Sequence, residues 1–253
     1  VITIVTTTIN VPIFLEGYRK NIEQHGHAAV NYIVVGDMKS HSDTAAFCAT
    51  IPNCIYMDLQ AQEKYMKRFP ELFAHLPINS IERRNIGMLL AYENGADKII
   101  TLDDDNYAAD HDTVLSHDIV GKRWKVRECS TESGWFNVCS VLKEKNNVEF
   151  YHRGYSPEHR WKDSEAMWNY WRVRKVVVNV GLWLDNPDID AITRLERELY
   201  VEGYKNTLNE SFALAPGTWS PFDCQNTAIA REVIPAYFLS PCVGRHSDIL
   251  ASY

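Results

Sequence analysis

Apolar and polar positions in the first hundred residues switch repeatedly between two periods. Residues 1–8 are β-branched throughout and apolar at their start, the pattern of a strand buried on both faces. Pro12 opens a helical stretch to about His25, and Gly26 stops it. Residues 31–36 form a second short apolar run, and a polar segment over 37–43 leads to a helix at 44–50. Ile55, Tyr56 and Met57 are a third strand candidate. Strands alternating with helices predict a mostly parallel sheet flanked by helices, an α/β fold. In such a sheet Thr6 and Asp37 fall near strand ends on the ligand side, where turn residues are also expected.

The segment 80–105 is the clearest unit. Ser80 is an expected N-cap, residues 83–94 carry Ile86, Leu89 and Leu90 on one helical face, and Gly95 is a C′ stop before a strand over 98–102. A helix feeding a strand through so short a loop runs antiparallel to it. The helix start, with Arg83, Arg84 and Asn85, therefore lies near the strand end, which carries Asp103, Asp104 and Asp105. Two guanidiniums and three carboxylates meet at the carboxyl edge of the sheet, where open α/β sheets bind ligands.

Beyond residue 108 the pattern loosens. Residues 134–142 and 176–184 read as strands, 190–200 as a helix, and 231–238 as a helix broken near Pro235. The aromatic and basic stretch 151–174 fits neither period and reads as a lid or a surface loop. No linker rich in Pro, Gly or Ser marks a boundary, so one domain is expected, residues 1–107 forming its first half and 108–253 its second.

Composition narrows the class. With 45% hydrophobic and 23% charged residues the chain is globular rather than disordered. A net charge of −7 disfavours nucleic acid and leaves small phosphorylated ligands to a local cationic site. Cys48, Cys54, Cys129, Cys139, Cys224 and Cys242 include no C-x-x-C pair and read as reduced thiols. No apolar run approaches the ~20 residues of a membrane span. The first residues read as a strand rather than a secretory signal, so a cytoplasmic protein is expected.

Three adjacent carboxylates repel one another, and a cation or strong hydrogen bonding is needed to hold them together. While the chain stays extended, Asp103 and Asp105 face one side and Asp104 the other. One or two can hold a hard divalent ion, Mn(II) or Mg(II), and another can accept hydrogen bonds from a ribose. A solvated loop with an Asx turn is the plainer alternative. Arg83 or Arg84 can clamp phosphate, though adjacent helical positions let only one reach it; a surface ion pair with Glu82 or Glu93 competes. In Arg245-His246-Ser247-Asp248, His246 is a candidate metal ligand and Asp248 a candidate general base, against a plain helix cap. In Trp183-Leu184-Asp185, Trp183 is a candidate floor for a sugar ring, against a core position, and Asp185 is the reserve base.

A strand ending in an Asp triplet, with an Arg-bearing helix upstream, resembles the Rossmann-related nucleotide-sugar fold called GT-A. Arg153-Gly154-Tyr155 with Arg160, Gly181-Leu182-Trp183-Leu184, Pro187-Asp188 and Asp190-Ala191 are similar to the reversibly glycosylated polypeptide family, which includes the UDP-arabinopyranose mutases. Asn226, Ala228, Arg231, Gly244-Arg245-His246 and Asp248-Ile249 follow that family in order and spacing, so the resemblance covers roughly residues 80 to 253. It implies that Asp103, Asp104 and Asp105 bind metal and nucleotide sugar, that Arg84 lies near the nucleotide or transfer point, and that Asp248 is in the active site. The chain departs from the family at Asn106 (usually Cys), His246 (usually Tyr) and Leu250 (usually Trp).

The expected function is metal-dependent transfer from a UDP-sugar donor to an acceptor that the sequence leaves unidentified: small molecule, glycan or polypeptide. Pyranose–furanose mutase chemistry and a non-catalytic nucleotide-sugar-binding subunit are the alternatives. Stereochemistry stays open, and so does assembly into a homo-oligomer.

Overall fold

The computed structural model describes residues 1–28, 30–160, 165–205 and 211–253, with the side chain of residue 170 left aside. The strands in chain order are β1 (Ile2–Thr7), β2 (Asn31–Val35), β3 (Cys54–Met57), β4 (Lys98–Leu102), β5 (Arg123–Ser130), β6 (Leu142–Glu144), β7 (Met167–Lys175), β8 (Val178–Val180), β9 (Val201–Tyr204), β10 (Phe212–Leu214) and β11 (Thr227–Ala230). The helices are α1 (Phe14–Gln24), α2 (Thr44–Cys48), α3 (Leu59–Met66), α4 (Pro70–His75), α5 (Arg84–Glu93), α6 (Thr113–Ser116), α7 (Ala191–Glu196) and α8 (Ser247–Leu250). They fall into two compact units, Val1–Lys122 with Lys175–Gly181 and Asp223–Ala251, and Arg123–Arg174 with Leu182–Phe222 and Ser252–Tyr253.

The first unit is an α/β sheet in the order β3-β2-β1-β4-β11-β8. β1, β2, β3 and β4 pair in parallel, while β11 joins β4 and β8 antiparallel. Alternation decides which residue faces which layer. Ile4, Val34, Ile100 and Leu102 pack with Phe14, Leu15, Tyr18 and Ile22 of α1 on one face. On the other, α5 lies so close that a Cβ at Gly87 would come within 2.7 Å of Val5 and 2.9 Å of Val35. The order of β1, β2 and β3 runs outward on one side and β4 begins on the other, so the sheet switches direction between β1 and β4. That is where α/β folds open a crevice at their carboxyl edge.

The second unit holds a three-stranded sheet, β10-β5-β7, and the antiparallel pair β6-β9. Cys129, Phe136 and Val141 form one of its cores, with Trp168, Phe212 and Leu214 packed against them. Leu142, Phe150, Ile189 and Val201 form another.

Several expectations for the second half give way to other structure. Residues 134–142 are not a strand. Ser133 Oγ and Asn137 Oδ1 take the backbone N–H groups of Trp135 and Cys139, both at 3.1 Å, and residues 138–141 make a 3-10 turn. The 176–184 strand shortens to β8, whose partner β11 begins only at Thr227, after Asn226 in the left-handed region at φ 46°. Asp190 caps α7 as a helix there requires, but Arg197 turns extended at φ −158°, so the helix stops at Glu196. Residues 231–238 form successive turns rather than a helix, consistent with Pro235 lacking a donor. The stretch 151–174 contributes β7, and its residues 161–164 lie outside the described ones.

Candidate functional site

The residues that leave the carboxyl ends of β1, β2 and β4 line one cleft of about 350 Å³ in the first unit: Thr7 and Thr8, Gly36 and Asp37, and Asp103, Asp104 and Asp105. Its remaining wall includes Ser80 and the Arg-bearing start of α5. Ser80 Oγ accepts the Glu82 N–H and so caps the turn leading into that helix. Beyond β4 the chain turns at once, with the Asn106 N–H on the Asp103 carbonyl at 3.1 Å. The turn replaces strand alternation and lets all three aspartates line the same cleft.

Each aspartate has a distinct setting. Asp103 Oδ1 accepts from Arg84 Nη2 at 2.6 Å, while the same nitrogen reaches Thr7 Oγ1 at 3.1 Å and the Leu102 carbonyl at 3.2 Å. Asp104 Oδ2 accepts from Thr8 Oγ1 at 2.8 Å and Asn10 Nδ2 at 3.1 Å. Asp105 is the exposed member, with Asn106 Nδ2 at 3.4 Å from its Oδ1. Asp37 Oδ2 accepts the Ser80 N–H at 3.1 Å and stands 4.0 Å from Arg83 Nε.

Both arginines are buried, and neither makes the surface pair that Glu82 or Glu93 would offer. Arg83 Nε donates to Gln62 Oε1 at 2.8 Å, and its guanidinium stacks 5.5 Å from the Phe73 ring centre. Burial lowers the Arg83 pKa, which Asp37 opposes. Burial also works against charge on Arg84, but Cys224 and Asp103 outweigh it and the net shift is upward. The Cys224 thiol is itself held protonated by burial, so Asp103 supplies the balancing charge. Arg84 Nη1 contacts Cys224 Sγ, which lies 3.4 Å from Asp248 Oδ2 and 3.8 Å from Asp103 Oδ1. Arg84 therefore organises Asp103 from behind rather than offering a free fork to phosphate.

Other expected site residues are placed elsewhere. Thr6 is fully buried inside β1 and does not line the cleft; Thr7 and Thr8 do, because the ligand-facing edge begins where β1 ends. Asp248 joins the buried network behind Cys224 with 8% exposure and does not line this cleft. His246 is exposed at φ 60°, preceding α8, and is likewise absent from the cleft wall. Asp185 and Trp183 belong to the second unit. Asp185 exchanges backbone hydrogen bonds with Val201 at 2.9 and 2.8 Å, and Trp183 packs on the Phe150–Ile189 core with its ring 5.1 Å from His152. Arg153 pairs with Asp188, and Arg160 with Asp190 at 3.2 Å, so those motif residues brace the second unit internally.

No family model matches the chain, and no curated protein is significantly similar to it. Among solved structures it is similar to the galactosyltransferase LgtC in complex with donor and acceptor sugar analogues, at TM-score 0.30 and 23% identity. The match covers 51% of this chain and 46% of that one, so the chain spans under half that structure's length. The functional reading therefore rests on the cleft's own residues.

Thr8, Asn10 and Cys224 were not foreseen. Thr8 follows the rule that singled out Thr6, two residues later and just past the end of β1. Cys224 carried no signal, since nothing in its neighbourhood marks a thiol that packs against residues 84, 103 and 248.

Proposed function

We propose that this protein is a metal-dependent glycosyltransferase that binds a UDP-sugar donor in the cleft of the first unit. The observation that carries the reading is the convergence of Asp37, Asp103, Asp104 and Asp105 at the carboxyl edge of β1, β2 and β4. In such folds a ligand's phosphates gather at the sheet edge where the strand order reverses.

A divalent cation fits the donor set. The carboxylates lining the cleft are hard oxygen ligands, and among the described cleft residues there is no imidazole or thiol, which favours Mg(II) or Mn(II) over zinc. Charge points the same way. Four carboxylates, Asp37, Asp103, Asp104 and Asp105, and three cations, Lys39, Arg83 and Arg84, line the cleft, an excess of negative charge that a cation would offset. Asp105 and Asp103 would hold the ion, with Asp104 kept in place by Thr8 and Asn10. Bound there, a cation would stabilise charge on the departing diphosphate. Asp37, just past the end of β2, would accept ribose hydroxyls. His246 has no part in this set.

The test is calorimetric titration of UDP into the protein with Mn(II) and with chelator. Binding should require the metal, and Asp105→Ala should abolish it. Equal affinity in chelator would overturn the metal site. Incubation with UDP-sugars alone then separates the chemistries, because a ring-isomerised donor formed without acceptor identifies a mutase instead of a transferase.

A further inference from the structure

Cys48 ends α2 and Cys54 opens β3, with five residues between them. Two turns fold this connection back on itself. The Ile51 N–H donates to the Cys48 carbonyl at 3.1 Å, and the Cys54 N–H to the Ile51 carbonyl at 3.3 Å. Asn53 completes the reversal in the left-handed region at φ 57°, which asparagine tolerates better than most side chains. β3 then pairs Cys54 with Tyr32 and Tyr56 with Val34, so Cys54 projects on the face where Tyr32 and Val34 pack with Cys48 in one core. There the two thiols are hydrogen-bonded to each other. Cys48 is 1% exposed, whereas Cys54 is only partly buried.

Either cysteine alone would read as a small apolar filler. Together they put two sulfurs in contact across a short, doubly turned connection, and a disulfide needs its two side chains to face each other in this way. The partly buried Cys54 gives a small oxidant access to the pair. The hydrogen bond from Cys54 also lowers the Cys48 pKa, which favours the thiolate that sulfur oxidation requires. Other buried thiols are set up differently: burial pushes Cys129 up to about 11 and raises Cys224 further, beside the carboxylates of Asp103 and Asp248.

We infer that Cys48 and Cys54 are a site of reversible oxidation, closing to a disulfide that staples α2 to β3. The oxidant is a hydroperoxide. The sulfur that carries the charge gives an electron pair to the peroxide, whose O–O bond breaks, and becomes a sulfenic acid. The second sulfur attacks it, the S–S bond forms, and the sulfenic oxygen leaves as water. With hydrogen peroxide, two thiols and one peroxide thus give one disulfide and two waters. A dithiol reductant reverses the step by exchange. This inference is independent of the chemistry in the cleft.

The test is mass spectrometry of the native full chain after hydrogen peroxide, followed by unfolding, alkylation with iodoacetamide and digestion with trypsin. No Lys or Arg lies between Lys39 and Lys64, so both cysteines fall in one peptide. That peptide should be two hydrogens lighter and unalkylated, and should take two alkyl groups after dithiothreitol. Peroxide should raise the melting temperature by about 5 °C, because the closed loop constrains the unfolded chain, and dithiothreitol should return it. Cys54→Ser, a change at the partly buried position, should show no such rise, and its Cys48 should oxidise onward to a sulfinic acid. Asp105→Ala should form the bond as the wild type does, which separates this pair from the cleft. Exposed Cys242 reports that the oxidant has acted. Oxidised Cys242 beside two alkylated thiols in the 40–64 peptide, a sulfinic acid on one wild-type sulfur with its neighbour still a thiol, or a bond that forms only in unfolded chain would each overturn the inference.

Discussion

The Arg84 guanidinium meets Asp103 Oδ1 at 2.6 Å with Arg84 only 1% exposed, which ties the start of α5 to the end of β4. Two further acceptors, Thr7 Oγ1 and the Leu102 carbonyl, hold the same nitrogen over the sheet edge. Lysine has one ammonium on a flexible stem and cannot span this set. Removing one partner of a buried pair leaves the other charge uncompensated, at about 3–5 kcal/mol. Arg84→Ala should therefore lose about 3 kcal/mol in urea unfolding, and Arg84→Lys should recover only a minor part of it. A loss below about 1 kcal/mol would mean that Asp103 is solvated without its partner.

Asp104 depends on Thr8 and Asn10 for its orientation, at 2.8 and 3.1 Å. Thr8→Val keeps the shape and deletes the hydroxyl. A hydrogen bond to a charged acceptor is worth about 1.5–3 kcal/mol, so affinity for UDP with Mn(II) should fall about tenfold or more. Calorimetry reads this directly. Unchanged affinity would mean that the Thr8 hydroxyl does not orient Asp104 for the ligand.

The parallel core of the first unit was legible because its strands are short apolar runs punctuated by Gly26, Gly36 and Gly95. The proximity of Arg84 to Asp103 followed from one antiparallel helix–strand step. What was not legible has physical causes. The helices at Leu59–Met66 and Pro70–His75 are short, and the second carries no fully buried residue, so its sequence shows little apolar face. β7 mixes exposed cations with aromatics and has neither period. Asp248 and His246 were adjacent in sequence to the expected chemistry, but one is buried behind Cys224 and the other points outward from a left-handed turn.

Gly87 supplies a test of the helix–sheet contact that places Arg84. Alanine favours helix over glycine by about 1 kcal/mol, which alone would stabilise α5. Here the added methyl would lie 2.7 Å from Val5 Cγ1, 2.9 Å from Val35 Cγ2 and 3.4 Å from Ile33 Cγ2, all on the face of packed strands. Overpacking of this kind costs about 1–3 kcal/mol, so Gly87→Ala should be net destabilising. Adding Val5→Ala should return part of the loss. A stabilised Gly87→Ala would show that α5 sits farther from the sheet.

His117 makes stability depend on pH in a window above the ordinary carboxylates. The ring is 1% exposed, with Nε2 2.9 Å from Asn226 Oδ1 and Nδ1 2.9 Å from Asn179 Nδ2. The acceptor at one nitrogen and the donor at the other select the neutral ring protonated on Nε2. Burial pushes its pKa down, Asn226 opposes this, and Lys98, whose ammonium donates to the His117 carbonyl at 3.1 Å, adds to the depression. Above about pH 6.5 the ring is neutral in both folded and unfolded chains and contributes no slope. Below it the unfolded chain takes up a proton that the folded one resists, so stability falls by up to about 1.4 kcal/mol per pH unit until the folded pKa is reached. His117→Gln should be less stable at neutral pH through lost packing, yet show a shallower decline between about pH 6.5 and 5.5. Denaturant unfolding of both proteins across that interval measures the difference in slope; identical slopes would mean that the buried ring accepts its proton as readily as a free one.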